Sequence, residues 1–339
     1  MRFAFTDDQL LFRDTVADML AKECSPEAVR WAWADETGRS PELWSALAEM
    51  GVVGLTVPEP FGGFGLSELD LLPILTEAGR VAFPGPLLET TAVAAPLLAE
   101  SAPAALAEAW LPKVVEGDAV LTVQLAGQPF VADAHVADLL LAQREDRIVA
   151  VAAERLRLTP ETSLDGARRL FSAEWDVADE ELIVDGEDGR AAADRAFDRG
   201  ALAASALLLG LAENLLATTV DYVISRRQFG VPIGSFQAVK HHLADAELQL
   251  SFARPVVANA AYSMANGLPI ASRDVSMAKC MASDAALVVA AKALQCHGAI
   301  AYTVEYDVHM WLKRVWALAA SWGDAAWHRR RVGHFVLGD

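Results

Sequence analysis

Residues 118–184 decide how this chain folds: they carry Ala119-Val120-Leu121-Thr122-Val123, Ala137-Asp138-Leu139-Leu140-Leu141 and Ile148-Val149-Ala150-Val151. These are short runs of strand length, punctuated by the turn residues Gly127-Gln128-Pro129 and Asp165-Gly166. Apolar runs this brief, bounded by glycine, proline and aspartate, suit strands, because a helix needs about ten residues or more to bury one face.

Outward from this stretch both flanks read as helical. Over residues 6–115, alanine, leucine and glutamate recur at helical spacing, broken at Ser25-Pro26, at Gly38-Arg39-Ser40-Pro41 and between Pro58 and Gly65. Thr6-Asp7-Asp8-Gln9 has the spacing of a capping box, a hydroxyl ahead of the helix and a glutamine at its third position. On the other side, Asp185-Gly186-Glu187-Asp188-Gly189-Arg190 reads as a polar linker, after which alanine-rich helical periodicity runs nearly to the end. The pattern predicts an α+β fold of separate layers: a helical domain over 1–117, a shortened middle β domain over 118–190 and a four-helix bundle over 191–339.

Composition narrows the function. With 339 residues and 53% hydrophobic content the chain can bury a large core. A net charge of -18 argues against nucleic-acid binding, which needs a basic face; the dense positive stretches are Arg226-Arg227, Lys313-Arg314 and Arg329-Arg330-Arg331, and a solvated helix face is the plain reading of each. Three widely spaced cysteines, Cys24, Cys280 and Cys296, support neither a disulfide framework nor a zinc site and suit a reducing cytoplasm. The start, Met1-Arg2-Phe3-Ala4-Phe5-Thr6-Asp7-Asp8, lacks an apolar signal core. No uninterrupted stretch reads as long and apolar enough to span a bilayer, and the run 201–211 is expected to be a buried helix.

Four stretches together resemble the acyl-CoA dehydrogenase family. The first is Trp44-Ser45-Ala46-Leu47-Ala48-Glu49-Met50-Gly51 followed by Gly54-Leu55-Thr56-Val57-Pro58-Glu59-Pro60-Phe61-Gly62-Gly63-Phe64-Gly65, similar to the family's loop into the substrate domain. The second is Arg226-Arg227-Gln228-Phe229-Gly230-Val231-Pro232-Ile233-Gly234-Ser235-Phe236-Gln237. The third is Gln295-Cys296-His297-Gly298-Ala299-Ile300-Ala301-Tyr302-Thr303, and the fourth runs from Glu305-Tyr306-Asp307 to Leu312-Lys313-Arg314. The resemblance covers the chain except its middle third, where it is faint.

The resemblance implies FAD shared across a subunit interface. In relatives the second stretch reaches the flavin nucleotide of the neighbouring chain, its arginine pairing with the pyrophosphate, a task that suits a planar guanidinium with two directed donors. By transfer, Arg226 is the pyrophosphate ligand; Gln228, Phe229 and Gln237 line the cofactor; Gln295 and Gly298 meet its adenosine side. Ala299 and Ala301 stand where relatives usually carry glycine.

The family's reaction also needs a carboxylate that takes the proton beside the thioester carbonyl while hydride leaves for the flavin. Relatives place that glutamate in one of two positions, and these fall on Gly200 and Gly323, so no catalytic base is expected in this chain. Asp198 and Asp324 lie close by, but a shift of one residue on a helix turns a side chain by roughly 100°; they read as a helix-start aspartate and a turn residue. Glu213 and Asp221 read as solvated or interface groups. The family's flavin-ring segment is replaced by Leu121-Thr122-Val123-Gln124-Leu125-Ala126-Gly127-Gln128-Pro129, while Ser163-Leu164-Asp165 and Arg168-Arg169 still resemble the later strands.

Groups that act on a neighbour's cofactor are thus mostly kept, and groups that act on the chain's own flavin and substrate are lost. The resemblance implies the degenerate subunit of a heteromeric, FAD-dependent acyl-CoA dehydrogenase, paired with a homologous catalytic subunit in an α2β2 heterotetramer that desaturates an acyl-CoA thioester. The ending Trp322-Gly323-Asp324-Ala325-Ala326-Trp327-His328-Arg329 resembles actinobacterial branches acting on steroid side chains and other bulky acyl groups. Two alternatives stay open: a homo-oligomeric flavoprotein with a relocated base or a different oxidation, and a non-catalytic scaffold paralogue.

The remaining signals read as structural. His241 and His242 point roughly 100° apart on a helix and have no acidic ligand set, so no metal is expected. His297 reads equally as a cofactor contact or as packing, the tryptophans as packing and interface, and Cys296 as a small buried hydrophobe.

Overall fold

The computed structural model describes residues 4–338; Met1, Arg2 and Phe3 of the N-terminal stretch, and Asp339, lie outside the described residues. Helices α1 (Asp7–Glu23), α2 (Pro26–Ala34), α3 (Pro41–Glu49), α4 (Glu68–Arg80), α5 (Ala95–Ser101) and α6 (Ala104–Glu116) come first. Seven strands come next: β1 (Leu121–Gln124), β2 (Val131–Ala132), β3 (Leu139–Arg144), β4 (Arg147–Ala152), β5 (Arg157–Glu161), β6 (Leu170–Glu174) and β7 (Glu181–Val184). Then come α7 (Gly186–Ser225), a small hairpin of β8 (Arg227–Gln228) and β9 (Val231–Pro232), α8 (Gln237–Ala265), α9 (Ala271–His297), α10 (Val308–Ala320) and α11 (Ala325–Leu337). Helices, a β region and helices again make the expected acyl-CoA dehydrogenase type of architecture. By internal contacts the chain divides into two compact units, 1–71 with 84–203, and 72–83 with 204–339.

In the first unit, local chemistry sets the helix starts. Thr6 and Gln9 form the anticipated reciprocal cap, with Gln9 N–H donating to Thr6 Oγ1 at 3.2 Å and Thr6 N–H to Gln9 Oε1 at 2.8 Å. Ser25 and Ser40 cap α2 and α3, each followed by a proline whose missing N–H costs nothing in the first turn. Arg169 Nη2 donates to Trp33 O at 3.0 Å and Asp35 O at 2.8 Å, so it secures the carbonyl end of α2. Between α4 and α5 a π-helix, Leu88–Ala94, buries all seven of its residues. Its Glu89 pairs with Arg168 at 3.0 Å, and Thr90 Oγ1 donates to Leu121 O at 2.7 Å.

The strands make two sheets, ordered β1-β3-β4-β7 and β2-β6-β5. Strand β1 runs parallel to β3, with Leu121 opposite Leu139, and β3 runs antiparallel to β4, with Leu140 opposite Val151. Alternation along β3 and β4 sends Leu140, Ala142, Val149 and Val151 into one cluster with Val131 and Ala134, against which Phe171 and Trp175 pack.

The second unit is mainly helical, built from most of α4, the later part of α7, the β8–β9 hairpin and α8 to α11. Trp311 Nε1 donates to Arg80 O at 2.8 Å, and Arg314, buried rather than solvated, donates Nη1 to Phe83 O at 2.9 Å.

Two sequence expectations need correction. Residues 185–190 are not a linker: α7 begins at Gly186, and Glu187 and Asp188 occupy its first turn, where anionic side chains meet the positive end of the helix dipole. Two helical runs are also long and apolar enough, by length and composition, to cross a membrane: α7 and Ala271–Tyr302. The run 201–211 is continued by alanine and leucine within α7, whose most apolar window is 78% buried in the protein, the mark of a core helix; the corresponding window of the second run is 39% buried.

Candidate functional site

Five of the six residues implied as cofactor ligands lie where α7 ends, α8 begins and α9 ends, with Gly298 immediately after. Strands β8 and β9 pair Arg227 with Pro232 and Gln228 with Val231, leaving Phe229 and Gly230 as a two-residue turn. Both have positive φ, 53° and 81°, the requirement of the hairpin turns whose twist matches paired strands. Phenylalanine is a poor occupant of that region, and its ring is 93% exposed. Arg226, Gln228, Gln237, Gln295 and Gly298 are exposed as well. Arg226 is fixed through its backbone, N–H to Tyr222 O at 2.8 Å and O from Ile233 N–H at 2.8 Å. Its guanidinium has no ion-pair or hydrogen-bond partner among the described residues, whereas Arg227 Nη2 donates to Gly230 O at 2.8 Å.

The two halves of this region are joined by side chains. Tyr222, one turn before Arg226, stacks on His297 with ring centroids 4.3 Å apart and an interplanar angle of 28°. Lys292 Nζ donates to His242 Nδ1 at 3.0 Å, so α8 and α9 are tied near the same end. His297 is buried; Ala293 O can only accept, so Nδ1 at 2.9 Å carries the proton and Nε2 is free to accept from Tyr306 OH at 3.3 Å. Burial lowers the His297 pKa, partly opposed by the Ala293 carbonyl. Sequence reasoning left His297 open between ligand and packing; with its ring faces and both nitrogens occupied, it packs.

These residues fit the near edge of a flavin nucleotide. An unpaired guanidinium, an exposed ring and an open glycine turn at 298 are groups whose chemistry suits an anionic, aromatic ligand. Ala301 is fully buried and faces away from solvent; Ala299 is exposed. In the first unit the segment after β1 is closed on itself: Leu125 N–H donates to Gln128 Oε1 at 2.9 Å, and Ala126 N–H to Gln143 Oε1 at 3.0 Å.

The two positions that the resemblance assigns to the family's base are occupied in contrasting ways. Gly200 is buried within α7. Asp198 is buried well inside the same helix, not at its start as the sequence suggested, because α7 begins at Gly186. Gly323 sits in the turn between α10 and α11 with φ 81°, after Trp322 with φ 57°. A Cβ there would lie 2.8 Å from His328 Nε2 and 2.9 Å from the Trp327 ring. Asp324 accepts from Trp327 N–H at 2.7 Å as the cap of α11, so its carboxylate is committed to the helix.

Under this turn lies a residue that sequence reasoning missed. Lys279 of α9 is fully buried and donates to Gly323 O at 3.0 Å, Ser283 Oγ at 3.0 Å and Ala319 O at 3.2 Å. Burial pushes its pKa down to about 7, against the pull of Asp324 and Cys280. His328 is also fully buried and donates Nε2–H to Trp322 O at 2.8 Å, and burial takes its pKa down to about 4. The available signal was spacing: Lys279 sits among Val275, Ala278, Ala282 and Ala286, on the small-residue face of α9 that turns inward.

Elsewhere in the second unit, Arg80, Glu213, Glu247 and Arg254 line an open pocket of about 480 Å³ together with Leu216, Val220, Leu243 and Leu250. Glu213 is held by Arg80 and by Arg254 Nε at 2.8 Å, an internal ion pair rather than a solvated group. All three cysteines are free and buried.

Comparison with known proteins gives a consistent result. Residues 6–118 match the model of the acyl-CoA dehydrogenase N-terminal domain, and residues 187–337 that of the acyl-CoA dehydrogenase C-terminal domain. The chain is 35% identical to acyl-CoA dehydrogenase IpdE2 of Mycobacterium tuberculosis over 91% of both proteins. It superposes on a chain of the ChsE4-ChsE5 complex from Mycobacterium tuberculosis with a TM-score of 0.89 at 26% identity, covering 100% of each. It shares the fold of the Tcur3481-Tcur3483 steroid acyl-CoA dehydrogenase, with a TM-score of 0.90, 24% identity and 98% of each chain covered. It also shares the fold of a Mycobacterium smegmatis glutaryl-CoA dehydrogenase solved in complex with FADH2, with a TM-score of 0.86, 17% identity and 99% and 96% covered.

Proposed function

This chain belongs to the acyl-CoA dehydrogenase family of oxidoreductases, and from that premise we propose that it is the base-less subunit of a heteromeric, FAD-dependent enzyme that desaturates an acyl-CoA thioester at the α,β position. The observation that carries the reading is the hairpin at 226–230: an arginine without a partner among the described residues, beside a phenylalanine that is 93% exposed in a backbone conformation it disfavours. Such groups are ready for a ligand held mainly by another chain.

FAD, when bound, supplies the hydride acceptor. Arg226 would pair with its pyrophosphate, Gln228, Phe229 and Gln237 would line it, and Gln295 and Gly298 would meet the adenosine side. The proton beside the thioester is taken by a carboxylate of the homologous catalytic chain, because position 200 is a buried glycine and position 323 a glycine in a filled turn. The two-protein ChsE4-ChsE5 complex, whose chain this one matches along its whole length, supports an assembly of unlike subunits, and we assign an α2β2 composition. The C-terminal stretch 322–329, which resembles branches acting on steroid side chains, points to a bulky acyl group.

The test is co-expression with a glutamate-bearing homologous chain, followed by native mass and flavin absorbance. We expect a yellow, active heteromer and a colourless chain alone, and Arg226→Ala in this chain should strip flavin from the heteromer without changing the thermal midpoint. A yellow homomer that turns over acyl-CoA by itself would overturn the reading.

A further inference from the structure

We propose that His297 is a positioning residue: clamped between Tyr222 and Tyr306, it holds the Gly298 turn in register with the 226–237 hairpin, so that both present one surface to the adenosine and pyrophosphate of the flavin nucleotide. The proposal rests on the shared-flavin reading for what the surface receives, but not for the clamp itself.

His297 has almost no unused surface. Its ring stacks on Tyr222 and lies 5.3 Å from the Tyr306 ring at a tilt of 48°. Nδ1–H is donated to Ala293 O, Nε2 receives Tyr306 OH, and the residue's own carbonyl accepts Tyr222 OH at 3.4 Å. The two tyrosine bonds are near the long limit for hydrogen bonds, so ring contact is the larger part of the clamp. Tyr222 also accepts the Arg226 N–H on its backbone carbonyl, and so one tyrosine anchors both the start of the hairpin and the last residue of α9.

The segment immediately after His297 needs such an anchor. Gly298 has φ 69° and ψ −149°, a region open in practice only to glycine, and the chain leaves it as a 3-10 turn, Gly298–Tyr302, before α10. A turn entered through so flexible a residue keeps one shape only if its flanks are fixed. His297 fixes it on one side; Tyr306 returns from the far side of the turn to the same imidazole. The clamp therefore spans the turn and, through Tyr222, reaches the hairpin, so that three segments meet at one imidazole.

The experiment compares His297→Ala, His297→Phe and Tyr306→Phe with Arg226→Ala, in the chain and in its complex with the catalytic subunit, by amide hydrogen exchange and by equilibrium FAD binding. For His297→Ala we expect exchange in both 226–232 and 298–303 to rise at least tenfold and FAD affinity of the complex to fall at least tenfold, with the thermal midpoint nearly unchanged. His297→Phe, which keeps the stack, should fall between it and the wild type. Unchanged exchange in either segment of His297→Ala would overturn the clamp, as would a lowered midpoint with normal FAD affinity. If His297→Ala does not fold, Tyr306→Phe decides on the same readings, with about a threefold rise expected in 298–303 and no rise overturning the clamp. If Arg226→Ala binds FAD normally while His297→Ala loosens both segments, the shared-flavin reading fails and the clamp stands.

Discussion

Phe229-Gly230 and Trp322-Gly323 are the same backbone device in opposite surroundings. Each places an aromatic residue at φ near 55°, 53° and 57° respectively, before a glycine at 81°. A bulky residue in that region costs about 1–3 kcal/mol and persists only where something else determines it. At 322 the compensation is visible: Trp322 is 4% exposed, its carbonyl takes the His328 proton, and the next carbonyl takes the Lys279 ammonium. At 229 the ring is 93% exposed, and a Cβ added to Gly230 would meet nothing within 4 Å. A turn that strains itself around a buried cluster is structural. One that holds a ring in water, met within its own chain by the edge of Phe236, has no comparable burial to offset its strain.

The contrast breaks first, and most severely, at Gly323. Gly323→Glu places a glutamate where the resemblance expects one but forces a side chain into a positive-φ site already filled by His328 and Trp327, with an expected cost of roughly 2–6 kcal/mol. Urea unfolding measures it; an unchanged midpoint, or desaturase activity gained by the chain alone, would mean the turn is not closed. Next in size is Lys279→Met, which strands the carbonyls of Ala319 and Gly323 and is expected to destabilise by about 2–3 kcal/mol. Its pH signature is specific. The folded-state pKa of about 7 lies below the ordinary value of 10.5, so between these pH values the unfolded chain binds the extra proton and wild-type stability rises with pH. The methionine variant should lose that rise in a series of thermal melts, and parallel curves for the two proteins would show that the ammonium stays charged in its three-oxygen cradle.

The smallest expected effect sharpens the comparison. Phe229→Asn places a residue tolerant of positive φ at the exposed turn and should stabilise the isolated chain by about 1 kcal/mol or less. The same change should weaken flavin retention by the heteromer. Loss of stability in the isolated chain would show that Phe229 is held by its own subunit after all.

Sequence legibility tracked the range of the interactions. The serine-proline starts of α2 and α3 and the Thr6–Gln9 cap were readable because their chemistry lies within four residues. Strands β1, β3 and β4 were readable because their apolar runs are local; β2, β5, β6 and β7 carry no run of that length, and 163–165 and 168–169, which resemble later strands, lie in the connection between β5 and β6. Gly186 could not be recognised as the start of α7, since polar, glycine-containing segments serve equally as linkers and as acidic first turns. The π-helix at Leu88–Ala94 leaves no pattern in composition, and its Glu89 is explained only by Arg168, which is far along the chain. Of the site, the residues implied as cofactor ligands carry a compact motif; Lys279 does not, because its partners are two backbone carbonyls and a serine hydroxyl, which any sequence can supply.

The open side of α9 bears on how the cell must make this protein. The apolar run Ala271–Tyr302, whose most apolar window is 39% buried within its own chain, leaves the side chains of Met277 and Leu287 part-exposed to water. Until that surface is covered, a surplus of the chain would be drawn to chaperones and proteases.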